Sequence, residues 1–322
     1  MSVFPVVLVE LEHDGVLGLG ESAPSTRYGE DVEKTAAFLA NVDPKRLSFQ
    51  DVEGSMAYIE GLEGGNVSAK GAINLALLDG AARLAGKPIY DQLGLGFTEG
   101  RHVTCFSIGI DSPEMIRLKV READIFPSLK LKVGNAEDRE NLKALREVAP
   151  AKPVRVDANE GWKTKEEALE RIESMAEDGN IELVEQPMPA STRPRDMTWL
   201  KERSPLPLYA DESYHLAGDA SLCADCFDGV NVKLMKTGGI TRAHEALLAA
   251  RRNGLKTMIG CMIETSILIS AGAHLAELAD YLDLDGNILC GNDPYEGVVQ
   301  NKGVLSFARA REKTGLCVRS KS

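Results

Sequence analysis

From about Val103 onward the chain alternates short apolar runs with longer stretches whose apolar residues recur at helical spacing. The runs fall near Val103–Ile110, Leu129–Val133, Pro153–Asp157, Ile181–Glu185, Leu208–Asp211, Val230–Leu234, Thr257–Cys261 and Tyr281–Leu284, with amphipathic segments such as DRENLKALREVA and KEEALERIESMAEDG between them. A repeat of roughly 20–30 residues, eight times over, predicts parallel strands joined by helices and closed into a (β/α)8 TIM-type barrel. An open doubly wound sheet is the competing arrangement, but no glycine-rich dinucleotide fingerprint follows the early strands.

The first 100 residues have a different rhythm. A strand is expected over about Val6–Leu11, a turn at His13-Asp14-Gly15, a second short strand toward Glu21, and then helices, so this region predicts a separate α+β capping domain. The loop ESAPSTRYGED is rich in turn residues and carries Arg27. In SAKGAINLALLDGAARLAG, small residues at helical spacing predict a tightly packed helix ended by Gly86 and Pro88, with Asp79 on it as a structural partner. The tail from Cys290, including VLSFARA, is expected to return to the cap. The expected domains are therefore 1–100 (cap), 101–289 (barrel) and 290–322 (return to the cap).

Composition agrees with this outline and removes several classes of function. A chain of 322 residues with 43% hydrophobic content suits one barrel of ~250 residues plus an appendage. A net charge of -12 with no basic stripe argues against nucleic acid and anionic membrane as partners. No run approaches the ~20 apolar residues of a membrane span, and MSVFPVVLVELEHDG lacks a basic leader region, so a soluble cytoplasmic protein is expected. Cys223 and Cys226 form a CxxC without a second pair at zinc-ribbon spacing, so the cysteines are read as reduced structural thiols.

The candidate chemistry lies at the strand ends. SLKLKVG places Lys130 and Lys132 two residues apart, hence on one face of a strand. Alone, such a strand reads as a solvated edge. Three later runs, VRVD, IELVE and LYAD, end in Asp157, Glu185 and Asp211. A single strand-end acid is usually a helix cap, but three at one rim repel one another unless a cation neutralises them, and oxygen donors suit Mg2+. The run VNVKLMKTGG carries Lys233, with Lys236 near its end, on the strand four places around the barrel from Lys130 and Lys132. Lysines on opposite walls flanking a metal suit proton removal and return at the two faces of one carbon. Glu264, just past the seventh strand, reads equally as a substrate contact or as a buried partner of a lysine. YLDLDG sets Asp283 and Asp285 on one face of the eighth; they read as a substrate or second metal site, or as helix caps.

The set LKLKVG, VDANEGW, VEQP, ADES, VNVKLMKTGG and DLDG, spanning roughly Val7 to Gly303, resembles the muconate-lactonizing branch of the enolase superfamily, and within it the dipeptide epimerases of the L-Ala-D/L-Glu type. The resemblance implies one Mg2+ per subunit, held by Asp157, Glu185 and Asp211 and bound to the substrate's carboxylate. It implies 1,1-proton transfer between Lys132 and Lys233 through an enediolate, with Lys130 aiding carboxylate binding. Asp283 and Asp285 then hold the α-ammonium of a small dipeptide substrate, which separates these enzymes from muconate cycloisomerases and o-succinylbenzoate synthases. Arg27, on a loop closing over the barrel mouth, contacts an acidic substrate side chain. The expected function is dipeptide epimerisation, as in murein peptide metabolism. The alternatives are an epimerase for another dipeptide, a cycloisomerase-type enzyme of the same superfamily, and a non-catalytic barrel that binds an acidic peptide. A homo-oligomer is left open. One departure stands out: relatives usually begin with an additional strand before VVLVELEHDG, so the cap sheet is expected to have an open edge and the Arg27 loop to be looser.

Overall fold

In the computed structural model, which describes residues 3–321, the chain opens with the antiparallel hairpin β1 (Val7–His13) and β2 (Val16–Ser22), paired from Val7↔Ser22 to His13↔Val16. Asp14 and Gly15 turn the corner with φ of 50° and 78°, the left-handed pair that a tight hairpin needs. Four helices follow, α1 (Val32–Ala40), α2 (Val52–Leu62), α3 (Val67–Leu84) and the short α4 (Ile89–Gln92). The sheet lies directly on α3, and the LGLG of β2 explains how closely: a Cβ on Gly18 would stand 2.1 Å from the Ala76 carbonyl oxygen, and one on Gly20 2.0 Å from that of Ala72.

The barrel strands are β3 (Phe106–Ile108), β4 (Leu129–Lys132), β5 (Val154–Asp157), β6 (Ile181–Glu185), β7 (Leu208–Ala210), β8 (Gly229–Lys233), β9 (Lys256–Gly260) and β10 (Tyr281–Asp283). They form one parallel sheet in sequence order. A bridge between Thr104 and Leu282, with the Cys105 N–H donating to the Leu282 carbonyl at 3.3 Å, brings its two edges together. Between and after the strands run α5 (Pro113–Glu122), α6 (Asp138–Val148), α7 (Lys165–Ala176), α8 (Pro194–Lys201), α9 (Ala220–Cys226), α10 (Leu234–Thr237), α11 (Ile240–Arg252) and α12 (Ser266–Ala273). Alternate strand residues such as Leu129 and Leu131 are fully buried in the core beneath these helices, as strands covered on both faces require.

The tail after β10 touches both parts. Its β12 (Val299–Asn301) and β13 (Val304–Ser306), which follow the two-residue β11 (Tyr295–Glu296), form a hairpin that bridges Val103 at the base of the first barrel strand. Farther on, Leu316 N–H donates at 2.6 Å to Asp79, whose carboxylate also accepts from Leu19 N–H at 2.8 Å and from Arg83 Nε at 3.0 Å. Asp79 thus joins β2, α3 and the tail, the structural partnership its place on the helix suggested. The cap meets the barrel through Glu21, which accepts from Thr265 N–H and Oγ1 at 2.8 and 2.6 Å, and through Asn74, which pairs with Thr241. Among the described residues no helix is long and apolar enough to cross a membrane.

Candidate active site

Strand register builds the floor of the site. Lys132 lies opposite Asp157, and Asp157 opposite Glu185, so the last residues of β4, β5 and β6 form one row at the C-terminal rim; Asp211 follows β7 directly. On the far side Lys233 and Asp283 are both level with Gly260 of β9. Gly260 has no side chain for a reason: a Cβ there would come within 2.5 Å of Asn231 Oδ1, and Asn231 Nδ2 donates at 2.8 Å to Glu185 Oε1. Ligand-capable oxygens of Asp157, Glu185 and Asp211 lie within 4.8 Å of one another, and all three residues are buried.

Four lysines stand among these acids. Lys130 Nζ is 3.0 Å from Asp157, 2.8 Å from Glu185 and 2.7 Å from Asp283. Lys132 Nζ is 2.6 Å from Asp157. Lys233 and Lys236 hold the two oxygens of Asp211 at 2.7 and 2.6 Å. The 2.8 Å contact at Glu185 Oε2 is an ion-pair distance with poor hydrogen-bond direction, and that oxygen, like Glu212 Oε2, is buried without a hydrogen-bond partner.

The titration tendencies describe a cluster short of positive charge. Burial and the neighbouring Asp157 push Glu185 up to about 8. Burial and Asp211 raise Glu212 to about 7, and burial with Asp283 beside it raises Asp285 to about 6. Burial acts in the same direction on Asp157 and Asp211, but Lys130 and Lys132 around the first, and Lys233 and Lys236 around the second, hold both below the usual carboxylate range. Burial would lower Lys130 and Lys233, but the surrounding carboxylates outweigh it and raise both above the ordinary lysine range. Three convergent carboxylates, orphaned buried oxygens beside them and raised acids around them fit a hard divalent cation with oxygen ligands.

Above this floor is a cavity of about 310 Å³. Lys130, Lys132, Lys233, Asp283 and Asp285 line its base and sides; Cys261, Met262, Ile263 and Leu289 give it an apolar flank, and Arg27 and Tyr28 of the cap loop overhang it. The structure thus brings nine of the ten expected site residues to this cavity or to the metal-type cluster beneath it. Glu264 does not line the cavity; it is buried with Glu21 as a like-charged neighbour and Lys233 as an opposite one, nearer the expected lysine partner than a substrate contact, and burial raises its carboxyl well above the usual range.

The cap loop is firmly held, in contrast to the looseness expected for it. Ser25 caps the turn Thr26–Tyr28, and Tyr28 meets His215 edge-on with ring centroids 5.4 Å apart. Glu30 accepts from the N–H groups of Val67 and Ser68 at the start of α3. Arg27 makes a two-pronged pair with Glu160, Nε to Oε2 and Nη2 to Oε1, both at 2.7 Å. Sequence reasoning missed Glu160, Glu212 and Asn231. Asn231 was within reach, since it lies two residues before Lys233 and the period-two argument applied to Lys130 and Lys132 covers it equally. Glu160 was not, because its place at the rim depends on left-handed backbone at Asn159 and Glu160, with φ of 42° and 66°, a conformation few non-glycine residues adopt.

Comparison with known proteins agrees with this geometry. Residues 115–298 match the Enolase C-terminal domain-like family, and residues 1–94 match the Mandelate racemase / muconate lactonizing enzyme, N-terminal domain. The chain is 63% identical over 320 residues to the L-Ala-D/L-amino acid epimerase of Pedosphaera parvula, a match covering 99% of this chain and 92% of that relative. It superposes with a TM-score of 0.90, at 30% identity, on the substrate-liganded complex of the L-Ala-D/L-Glu epimerase from Bacillus subtilis, over 98% of this chain and 91% of that one. The dipeptide epimerase from Enterococcus faecalis V583 complexed with Mg and the dipeptide L-Leu-L-Tyr matches with a TM-score of 0.87 and 31% identity, over 98% of this chain and 92% of the other.

Proposed function

The chain belongs to the mandelate racemase and muconate lactonizing enzyme family of the enolase superfamily, and from that premise we propose that it epimerises dipeptides of the L-Ala-D/L-Glu type at the α-carbon of the second residue. The observation that carries this reading is the opposition of Lys132 on β4 and Lys233 on β8, four strands apart in the eight-stranded barrel, across three buried carboxylates.

Asp157, Glu185 and Asp211 would hold Mg2+, which when bound would supply positive charge beside the substrate carboxylate and so ease loss of the adjacent α-proton. The α-carbon then lies between the two lysines. Lys132 and Lys233 work from opposite faces, one taking the proton and the other, in its ammonium form, returning one, so the configuration inverts. Lys130, held between Asp157, Glu185 and Asp283, adds a fixed positive charge for the carboxylate. Asp283 and Asp285, on the same side of the cavity, suit the substrate's free ammonium; a cycloisomerase acting on a substrate without an amine has no use for them. Catalysis on peptides released from the cell wall, in the cytoplasm, is the setting this chemistry fits best.

The test is proton NMR of L-Ala-L-Glu with the protein and Mg2+ in D2O. The expected result is loss of the glutamate α-proton signal together with appearance of L-Ala-D-Glu. Absence of exchange at that carbon for every dipeptide of a panel overturns the reading.

A further inference from the structure

Glu160 is presented to the cavity rim by backbone that has little freedom. Its N–H donates to the Gln186 carbonyl at 2.9 Å, its carbonyl accepts from Lys163 Nζ at 2.7 Å, and the next residue, Gly161, donates back to Ala158 at 2.8 Å. A Cβ on Gly161 would stand 2.5 Å from Gly134 Cα, so this loop is also wedged against the loop after β4. The side chain is tied as well, because Oε1 accepts from Ala190 N–H at 2.7 Å in addition to Arg27 Nη2. The barrel therefore delivers a fixed carboxylate, 17% exposed, to a cation on the cap loop that is 48% exposed.

The consequence falls on the substrate. A free arginine over the cavity would favour a dipeptide whose second side chain is acidic, by pairing with it. Here one of the two guanidinium edges that can fork onto a carboxylate, Nε with Nη2, is already engaged, and its charge is balanced in place. An acidic side chain must either displace Glu160, leaving two carboxylates side by side, or take the outer edge of a pair whose charge is already balanced. A neutral side chain leaves the pair intact and meets Tyr28, Met262, Ile263 and Leu289. Resting on the dipeptide-epimerase reading, we infer that Glu160 is a specificity-determining residue: by holding Arg27 it levels the preference for acidic dipeptides, so that L-Ala dipeptides with a neutral second residue are substrates on a par with L-Ala-L-Glu. Glu160 acts through Arg27 and is a positioning residue.

The experiment compares kcat/KM for L-Ala-L-Glu and its neutral isostere L-Ala-L-Gln in the Mg2+-loaded full chain, as wild type, Glu160→Gln, Arg27→Met and the double variant. The wild-type ratio is expected to lie within about tenfold of unity. Glu160→Gln is expected to raise it, in favour of L-Ala-L-Glu, by at least about tenfold, the factor one charge-assisted hydrogen bond carries. Most of that rise is expected to vanish in the double variant, where no guanidinium remains to be released. If Glu160 only braces the loop, both substrates fall together and the ratio stays put in Glu160→Gln, which overturns the inference. A wild-type preference for L-Ala-L-Glu of about a hundredfold or more overturns it too. Turnover of neither dipeptide by wild type overturns the inference, and absence of exchange across the whole dipeptide panel overturns the epimerase reading itself, a failure recognisable because it appears before any substitution is made.

Discussion

A pair of lysines two residues apart acquires meaning only from what stands opposite. Lys130 and Lys132 leave the same face of β4, yet Lys130 is wedged among three acids while Lys132 touches Asp157 alone and keeps 28% of its side chain exposed toward the cavity. On the proposed reading, that difference assigns the fixed charge to Lys130 and proton exchange on this wall to Lys132. With Lys233 as its counterpart, Lys132→Ala and Lys233→Ala are each expected to abolish epimerisation, since inversion needs both faces. Each variant should still exchange deuterium into the one epimer whose α-proton faces its surviving lysine, and the two variants should differ in which epimer that is. NMR in D2O with each purified epimer reads this directly, and epimerisation by either variant refutes the pairing of bases.

Elements explain how such residues reach one place. The strand ends are brought level by parallel register, which sets Lys132, Asp157 and Glu185 in one row. The turn Ala276–Leu278, between α12 and β10, shows how the base is secured: Glu277 accepts from Thr98 N–H, Arg101 and His102, which tie the segment leading into β3. Burial alone would raise its carboxyl, but the bonds from Thr98 and His102 outweigh burial and lower it from 4.5 to about 2. Because the folded value is the lower one, the stability Glu277 contributes is present above the ordinary carboxyl value and is lost as pH falls from about 4.5 toward about 2. Glu277→Gln is accordingly expected to be less stable than wild type at pH 6, with the gap narrowing through that window. Urea unfolding midpoints at pH 6, 4 and 3 measure it, and a gap independent of pH removes the electrostatic account.

At the scale of the molecule the cap and barrel share one site, with Arg27 and Tyr28 from the first and the lysines and acids from the second. The buried triad links cation binding to folding, because the unfolded chain does not preassemble three carboxylates. EDTA treatment is expected to abolish α-proton exchange and to lower the melting temperature; Mg2+ at about a hundred times its dissociation constant should restore both, adding about 2.7 kcal/mol, roughly 4 °C for a chain of 322 residues. Asp211→Asn should remove most of the Mg2+-dependent shift. A melting temperature indifferent to Mg2+ contradicts the assignment of the triad.

Periodicity and spacing determined the barrel, its eight strands and the inward face of β4, because side chains alternate strictly along a strand and charged groups cannot be buried there without partners. They also picked out the strand-end acids, since parallel strands covered by helices end at a common rim. The LGLG of β2, which clears space for the backbone of α3, carried no readable signal, because glycine in a strand has several causes. Which cation the cap loop offers to a ligand was likewise undecided by the sequence. Arg27 and Glu160 are 133 residues apart, and their meeting depends on the docking of one domain on another and on a left-handed turn that no local preference requires. Tertiary structure alone decided that the arginine expected to select the substrate arrives already paired.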